Sequence, residues 1–251
     1  MTVYFIGAGP GAADLITVRG QRLLSQCSVC LYAGSIIPDD LLAYCPLGAR
    51  IVDTGPLTLE QITNEFVAAD AAGHDVARLH SGDPSLYSAL AEQCRRLDAL
   101  DIPHEIVPGV PAFAAAAAVL GRELTVPGVA QTVTLTRVAT LSTPMPAGED
   151  LETLAGPGAT LVLHLAAAQI EAIVPQLLAG GYHPQTPAAA VAFASWPSQI
   201  VVCGTLATIA ADMAEAAIRK TAVIIVGDVL AAQGFTDSYL YSAGRTRTTR
   251  H

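Results

Sequence analysis

Apolar residues along this chain fall into short unbroken runs, separated by amphipathic stretches and closed by glycine or proline. Such runs predict strands buried on both faces, and the stretches between them predict helices packed over a sheet. Strands are expected at residues 3–8, 28–34, 50–54, 75–80 and 104–107. Helices are expected at residues 15–26, where Leu15, Val18, Leu23 and Leu24 share a face, at 38–44, at 59–72 behind a Thr58 cap, at 85–100 and at 112–120. In the fourth of these, Asp83 reads as the N-cap and Pro84 as the first helical residue, with Leu86, Leu90 and Leu97 carried on overlapping faces. Five strands alternating with helices through short turns make a doubly wound, mostly parallel sheet.

After Gly121 the cadence changes. Residues 131–138 alternate like a strand with one wet face, 160–165 and 222–226 are continuous apolar runs, and 168–179 and 205–218 are helical. Residues 188–194 and 199–204 are too close in sequence for a crossover and predict an antiparallel pair. The chain is thus expected to be α/β with two α/β domains: residues 1–120 holding the five-stranded sheet, residues 121–240 holding a mixed sheet, and a polar tail at 241–251 expected to be disordered.

Composition narrows the chemistry. A net charge of −9 argues against nucleic acid, whose phosphates draw on a basic surface. No apolar run approaches the roughly 20 residues of a membrane span, and five irregularly spaced cysteines form no disulfide framework, so a cytoplasmic protein is expected. Cys27 and Cys30 form a C-x-x-C that should point to opposite faces of a strand and bury as small apolar residues. Of 13 basic residues only Lys220 is lysine, which leaves little scope for Schiff-base chemistry. Arginine suits carboxylates, and Arg19, Arg50, Arg78, Arg122 and Arg137 are possible partners for them. His80, His104 and His164 lack ligand spacing, so no metal is assigned.

Three predicted strands end in glycine-proline corners: Gly7-Ala8-Gly9-Pro10-Gly11, Ser81-Gly82-Asp83-Pro84 and Pro108-Gly109-Val110-Pro111. In an open α/β sheet the carboxyl ends of strands are where ligands bind. The first corner departs from G-x-G-x-x-G, because Pro10 follows Gly9 and Ala12-Ala13-Asp14 stands where the third glycine would be. Proline lacks an N–H and stiffens the loop, so this is a poor phosphate cradle and a better wall for a compact ligand.

Taken in order, V-Y-F-I-G-A-G-P-G, S-G-D-P-S-L-Y, P-G-V-P-A, T-L-V-L-H-L, A-S-W-P-S-Q and A-V-I-I-V-G-D resemble the tetrapyrrole methyltransferases across nearly the whole chain, from Thr2 to about Val229. Within that family, Y-A-G-S-I-I-P at residues 32–38, T-R-V at 136–138 and T-P-M-P-A-G-E at 143–149 resemble the branch that methylates C11 of the corrin precursor in cobalamin biosynthesis. The resemblance implies a homodimer that uses S-adenosylmethionine, releases S-adenosylhomocysteine, and holds the cofactor in a cleft between the two domains. Position by position it implies Pro10 as a wall, and Ser81, Gly82 and Asp83 against the methionine and ribose parts. Leu86, Pro111, Ala112, Leu165, Ala194 and Ala222 would supply backbone contacts and apolar packing. Leu165 stands where a methionine is usual and Pro111 where a small hydroxyl residue is usual.

A sulfonium nucleoside needs a carboxylate, an apolar sleeve and no phosphate cradle, which these corners offer. Methyl transfer gains mainly from positioning and water exclusion, so no strong nucleophile is required. No residue stands out as the catalytic group; Asp83, His80 and Asp39, with Asp40, are the possible bases. A tetrapyrrole bearing many carboxylates must find local arginines on this acidic protein, with Arg137 preferred, and Tyr32 and Ser35 are further acceptor-binding candidates. A cobalt-loaded acceptor, uroporphyrinogen as acceptor, and a non-catalytic nucleotide-binding module stay open as alternatives.

Overall fold

The computed structural model describes residues 1–34, 36–139, 143–239 and 245. The chain divides into two compact units, Met1–Ala115 with Ala194–Pro197, and Ala116–Phe193 with the residues from Ser198 onward.

In the first unit β1 (Val3–Gly7), β2 (Val29–Tyr32), β3 (Arg50–Asp53), β4 (Val76–His80) and β5 (His104–Val107) form one sheet in the order β3-β2-β4-β1-β5. Every neighbouring pair is parallel, with β1 and β4 in register from Val3 opposite Val76 to Gly7 opposite His80. The three inner strands, β2, β4 and β1, are largely buried because both their faces are covered. Phe5, Val76, Phe66 and Leu97 pack on one side, and Ile6, Leu79, Leu24 and Leu41 on the other. The covering helices are α1 (Val18–Leu24) and α2 (Asp39–Leu42) on the second side, and α3 (Leu59–Ala71) and α4 (Leu90–Asp98) on the first. The sheet is therefore doubly wound, as the pattern predicts. Thr58 caps α3 in a reciprocal box: its hydroxyl accepts from Gln61 N–H at 3.2 Å, and Gln61 Oε1 accepts from Thr58 N–H at 2.8 Å.

Three sequence expectations fail here for local reasons. The helix expected from residue 15 starts at Val18, because the Thr17 hydroxyl accepts from Gly20 N–H at 3.1 Å and caps it, which leaves Val18 84% exposed. The helix expected from residue 85 starts at Leu90, after Tyr87 (φ 53°) and Ala89 (φ 52°) break the backbone into the left-handed region. Asp83 is thus not a helix cap. Cys27 and Cys30 do not point to opposite faces; Cys27 precedes β2, and both thiols bury in the same apolar cluster.

In the second unit β6 (Val133–Arg137), β7 (Thr160–His164), β8 (Pro187–Ala192), β9 (Ile200–Thr205) and β10 (Ala222–Val226) form a sheet in the order β6-β7-β10-β8-β9. Only β6 and β7 are parallel, so this sheet is mixed, and β8 and β9 make the antiparallel pair their spacing demands. A helix α5 (Ala112–Leu120) contains the boundary between units; α6 (Leu151–Leu154), α7 (Ile170–Ala179) and α8 (Ile209–Glu215) follow. Leu161, Leu163, Ile173, Leu177, Met213 and Ile224 are the centre of its core. The helix expected at 205–218 is shorter because β9 runs through Thr205, and the Thr208 hydroxyl accepts from Thr205 N–H at 3.2 Å in the intervening turn. The tail at residues 241–251 falls outside the described residues except for Arg245. Among the described residues no helix is long and apolar enough to cross a membrane.

Candidate active site

The three glycine-proline corners meet in the first unit. β1 and β4 continue past their last paired residues through Ala8 N–H to His80 O (2.8 Å), then through a two-way bridge, Gly82 N–H to Gly9 O (2.7 Å) and Gly9 N–H to Gly82 O (3.2 Å). Both glycines need the left-handed backbone, with φ of 80° at Gly9 and 67° at Gly82. Space is the constraint at Gly7, where a Cβ would lie 2.5 Å from Gly109 Cα and 2.8 Å from Gly82 O. Side chains are excluded so that three turns can mesh.

Asp83 locks the third turn to the second. Its Oδ2 accepts the Gly109 N–H at 2.8 Å, while Oδ1 accepts the Ser85 N–H at 2.8 Å and the Ser85 hydroxyl. Burial pushes the carboxyl pKa up, but the hydrogen bonds from Ser85 and Gly109 outweigh it and hold the group below its ordinary value. Asp83 is therefore an anion at neutral pH and a weak base. Leu86 N–H closes the same turn onto Asp83 O at 3.2 Å. Pro111 and Ala112 border Gly82, whose Cβ would sit 3.5 Å from Ala112 N and 3.6 Å from Pro111 Cα. The Pro111 carbonyl accepts from Ala114 and Ala115 N–H and starts α5.

A segment distant in sequence completes this corner. Trp196 Nε1–H donates to Pro10 O at 3.0 Å, and Ala12 N–H donates to Ser195 Oγ at 3.0 Å. The indole lies where a Cβ on Gly11 would be, so that glycine is required by contact. Gly11, Ala12, Ala13, Ser195, Trp196 and Pro197, with Pro38 and Asp40 from α2 and its approach, line a cleft of about 390 Å³, within the volume range of small-ligand sites. Ala194 is buried beside it in sequence. Ser195 and Trp196 line this cleft, a placement that sequence reasoning misses: 186 positions separate Trp196 from Pro10, and no periodicity links them.

The structure thus brings together Pro10, Ser81, Gly82, Asp83, Leu86, Pro111 and Ala112. Leu165 and Ala222 belong to the second unit, Leu165 following β7 with φ 55° and 61% exposure, Ala222 opening β10. His80 is 6% exposed, its ring centroid 5.7 Å from that of Phe5, with Nε2 lacking a partner among the described residues. Burial, helped by the Arg78 charge, pushes its pKa down to about 3, so it is neutral at pH 7. Asp39 is exposed in the first turn of α2. Tyr32 ends β2 half-buried; burial and the charges of Asp53 and Asp39 raise its phenol pKa. Ser35 lies outside the described residues. Arg137 ends β6 and clamps its own following loop, donating to Val138 O at 3.0 Å, Thr143 O at 3.1 Å and Pro144 O at 3.1 Å. Arg78, a sequence candidate for acceptor carboxylates, instead points inward and is 6% exposed. Among the described residues no group of His, Cys, Asp and Glu is placed to hold a metal.

Comparison with known proteins adds a family. The model of the tetrapyrrole (corrin/porphyrin) methylases matches residues 2–210. A Mycobacterium tuberculosis protein named precorrin-4 C(11)-methyltransferase is 79% identical over 98% of this chain and 98% of its own. A solved cobalt precorrin-4 methyltransferase, described as a cobalamin biosynthetic enzyme, superposes with a TM-score of 0.89 at 38% identity, over 91% of this chain and 95% of that one. Uroporphyrin-III C-methyltransferase from Thermus thermophilus, solved with S-adenosylhomocysteine, superposes with a TM-score of 0.78 at 29% identity, over 92% of this chain and 93% of that one.

Proposed function

Since the chain belongs to the tetrapyrrole (corrin/porphyrin) methylases, we propose that it methylates C11 of precorrin-4 with S-adenosylmethionine, releasing precorrin-5 and S-adenosylhomocysteine. The acceptor follows the 79% identity to the M. tuberculosis precorrin-4 enzyme, against 38% to the solved cobalt precorrin-4 enzyme.

The observation that carries the cofactor reading is the meshed corner of the first unit. Turns without Cβ atoms mesh closely and fix the corner, the Asp83 anion supplies a fixed negative charge that a sulfonium or an α-amino group favours, and Trp196, held by Pro10 O, walls the cleft with Pro38 and Pro197. Pro10 removes an amide donor from the turn where a phosphate would need one, and the chain's single lysine, Lys220, lies far along the sequence. These residues fit a compact cationic nucleoside. S-adenosylmethionine, when bound, supplies an electrophilic methyl carbon on sulfur.

The chain's own contribution is positioning. Ser81, Gly82 and Asp83 hold the methionine and ribose side, while Leu86, Pro111 and Ala112 pack beside them. C11 of the reduced tetrapyrrole is nucleophilic by itself, so bond formation to the methyl carbon as the carbon–sulfur bond breaks needs alignment and a dry site more than a base. Asp83, held below the ordinary carboxyl pKa, stays ionised and acts by charge and by bracing the turns. The test is calorimetric titration with S-adenosylhomocysteine, ATP and NAD, followed by mass spectrometry of metal-free and cobalt-loaded acceptors. Uptake of S-adenosylhomocysteine alone and a one-methyl mass gain on the metal-free acceptor are expected; binding of ATP or NAD instead would overturn the reading.

A further inference from the structure

Arg78 sits in the middle strand of the first sheet, 6% exposed, and among the described residues it hydrogen-bonds no carboxylate. Its partners are neutral: Nη1–H donates to Thr54 Oγ1 at 2.9 Å, and Nε–H donates to Gln93 Oε1 at 3.0 Å. Burial lowers the guanidinium pKa to about 10, so the group remains charged at neutral pH. A buried cation kept without an anion is costly unless its donors are well placed, and its removal would leave buried acceptors unpaired.

Each partner leads to a strand exit. Thr54 follows β3, and its hydroxyl and N–H donate to Tyr32 O, the last carbonyl of β2, at 2.9 and 2.7 Å. Beside it, Asp53 accepts from Gly34 N–H at 2.9 Å and Gly55 N–H at 2.8 Å, fixing the start of the loop that leaves β2. Gln93, on the first turn of α4 and 3% exposed, donates through Nε2–H to Ala89 O at 3.0 Å. Ala89 is the left-handed residue that ends the turn begun by Ser81, Gly82 and Asp83. One side chain in the sheet thereby connects the exit of β2, whose last residue is the acceptor-binding candidate Tyr32, to the turn assigned to the methyl donor.

We infer that Arg78 is a positioning residue for methyl transfer, holding the exit of β2 and the turn at residues 81–89 in one fixed relation through Thr54 and Gln93. The inference rests on the reading of that turn as the donor site. Lysine cannot replace arginine here, because all three of its N–H donors leave one nitrogen at the end of the stem, whereas arginine reaches Gln93 from Nε and Thr54 from Nη1.

The experiment measures S-adenosylhomocysteine affinity by calorimetry, steady-state kcat and KM for donor and acceptor, and melting temperature, for wild type, Arg78→Lys, Arg78→Met, Thr54→Val, Gln93→Leu, and the pairs Thr54→Val/Arg78→Met and Gln93→Leu/Arg78→Met. Arg78→Met and Arg78→Lys are expected to weaken S-adenosylhomocysteine by about twofold to thirtyfold, the range of coupling through packed networks, and to raise both KM values. Thr54→Val should act on affinity in wild type and have no further effect once Arg78 is Met, the signature of a shared network. Variants that melt lower while affinity and both KM values stay at the wild-type level would reduce Arg78 to a structural role and overturn the inference. It fails equally if the effects of Thr54→Val and Arg78→Met simply add. Folded wild type that takes up no S-adenosylhomocysteine would instead remove the donor-site reading, and the inference with it.

Discussion

Replacing Asp83 with Asn keeps the size of the side chain while removing its charge and turning one acceptor oxygen into a donor. In the structure both oxygens are committed, Oδ2 to the Gly109 N–H at 2.8 Å and Oδ1 to the Ser85 N–H at 2.8 Å. Whichever way the amide is oriented, its NH₂ group confronts a backbone N–H. Losing one hydrogen bond to a charged group and leaving its donor unmet costs about 1.5–3 kcal/mol. At about 2–4 °C per kcal/mol for a chain of this size, Asp83→Asn should melt about 3–12 °C below wild type. The acidity of the group sets the pH dependence. Because the folded state holds the carboxyl below its ordinary value, its contribution is complete well above the unfolded pKa of about 3.9 and is lost as the pH falls through the lower folded pKa. Calorimetric melts at pH 7 should show the full gap between wild type and Asp83→Asn, and the gap should close on acidification below about pH 4. Ser85→Ala, which removes only the hydroxyl donor, should lose less. A gap that is absent at pH 7, or that persists undiminished in acid, would refute the assignment of Asp83 as the brace between the turns.

Three further outcomes follow from other contacts. Gly11→Ala places a methyl group where the Trp196 indole lies; the emission of this single tryptophan should shift to the red and S-adenosylhomocysteine affinity should fall, whereas unchanged fluorescence would contradict the packing. His80→Phe should flatten the acid destabilisation of the fold: burial pushes the His80 pKa down to about 3, so wild type loses stability as pH falls from about 6.5 toward that value while the unfolded chain takes up the proton, and equal slopes for the two proteins would sink the claim. Gly7→Ala, whose Cβ would meet Gly109 Cα at 2.5 Å, should prevent β1 and β5 from closing and yield little soluble protein; a fold as stable as wild type would show that the turns do not mesh.

Much of this arrangement is legible in the sequence, and the exceptions have physical causes. The inner strands of the first sheet announce themselves because parallel strands covered on both faces are largely apolar, and glycine or proline marks the corners after β1, β4 and β5. The N-terminus of α4 is not legible, because Asp83 and Pro84 carry the local signature of a helix start while the carboxylate is claimed by Gly109, 26 positions away. Nothing near Asp83 in sequence reveals that competition. Arg78 has the sequence appearance of a surface cation because charged residues are seldom buried, and only the fold shows Thr54 and Gln93 waiting for its donors. Trp196 is the converse case: A-S-W-P marks a strand end by itself, and its place in the cleft emerges only when the indole is seen against Gly11 and Pro10.

The ring carbon that receives the methyl group defines the reaction. Incubating the protein with precorrin-4 and S-adenosylmethionine labelled with carbon-13 at the methyl, then assigning the product by carbon NMR, reads that position directly. A single enriched methyl resonance correlated with C11, formed in equal amount with S-adenosylhomocysteine, is the expected result. Label on another ring carbon, or consumption of the donor without label in the tetrapyrrole, would contradict the account.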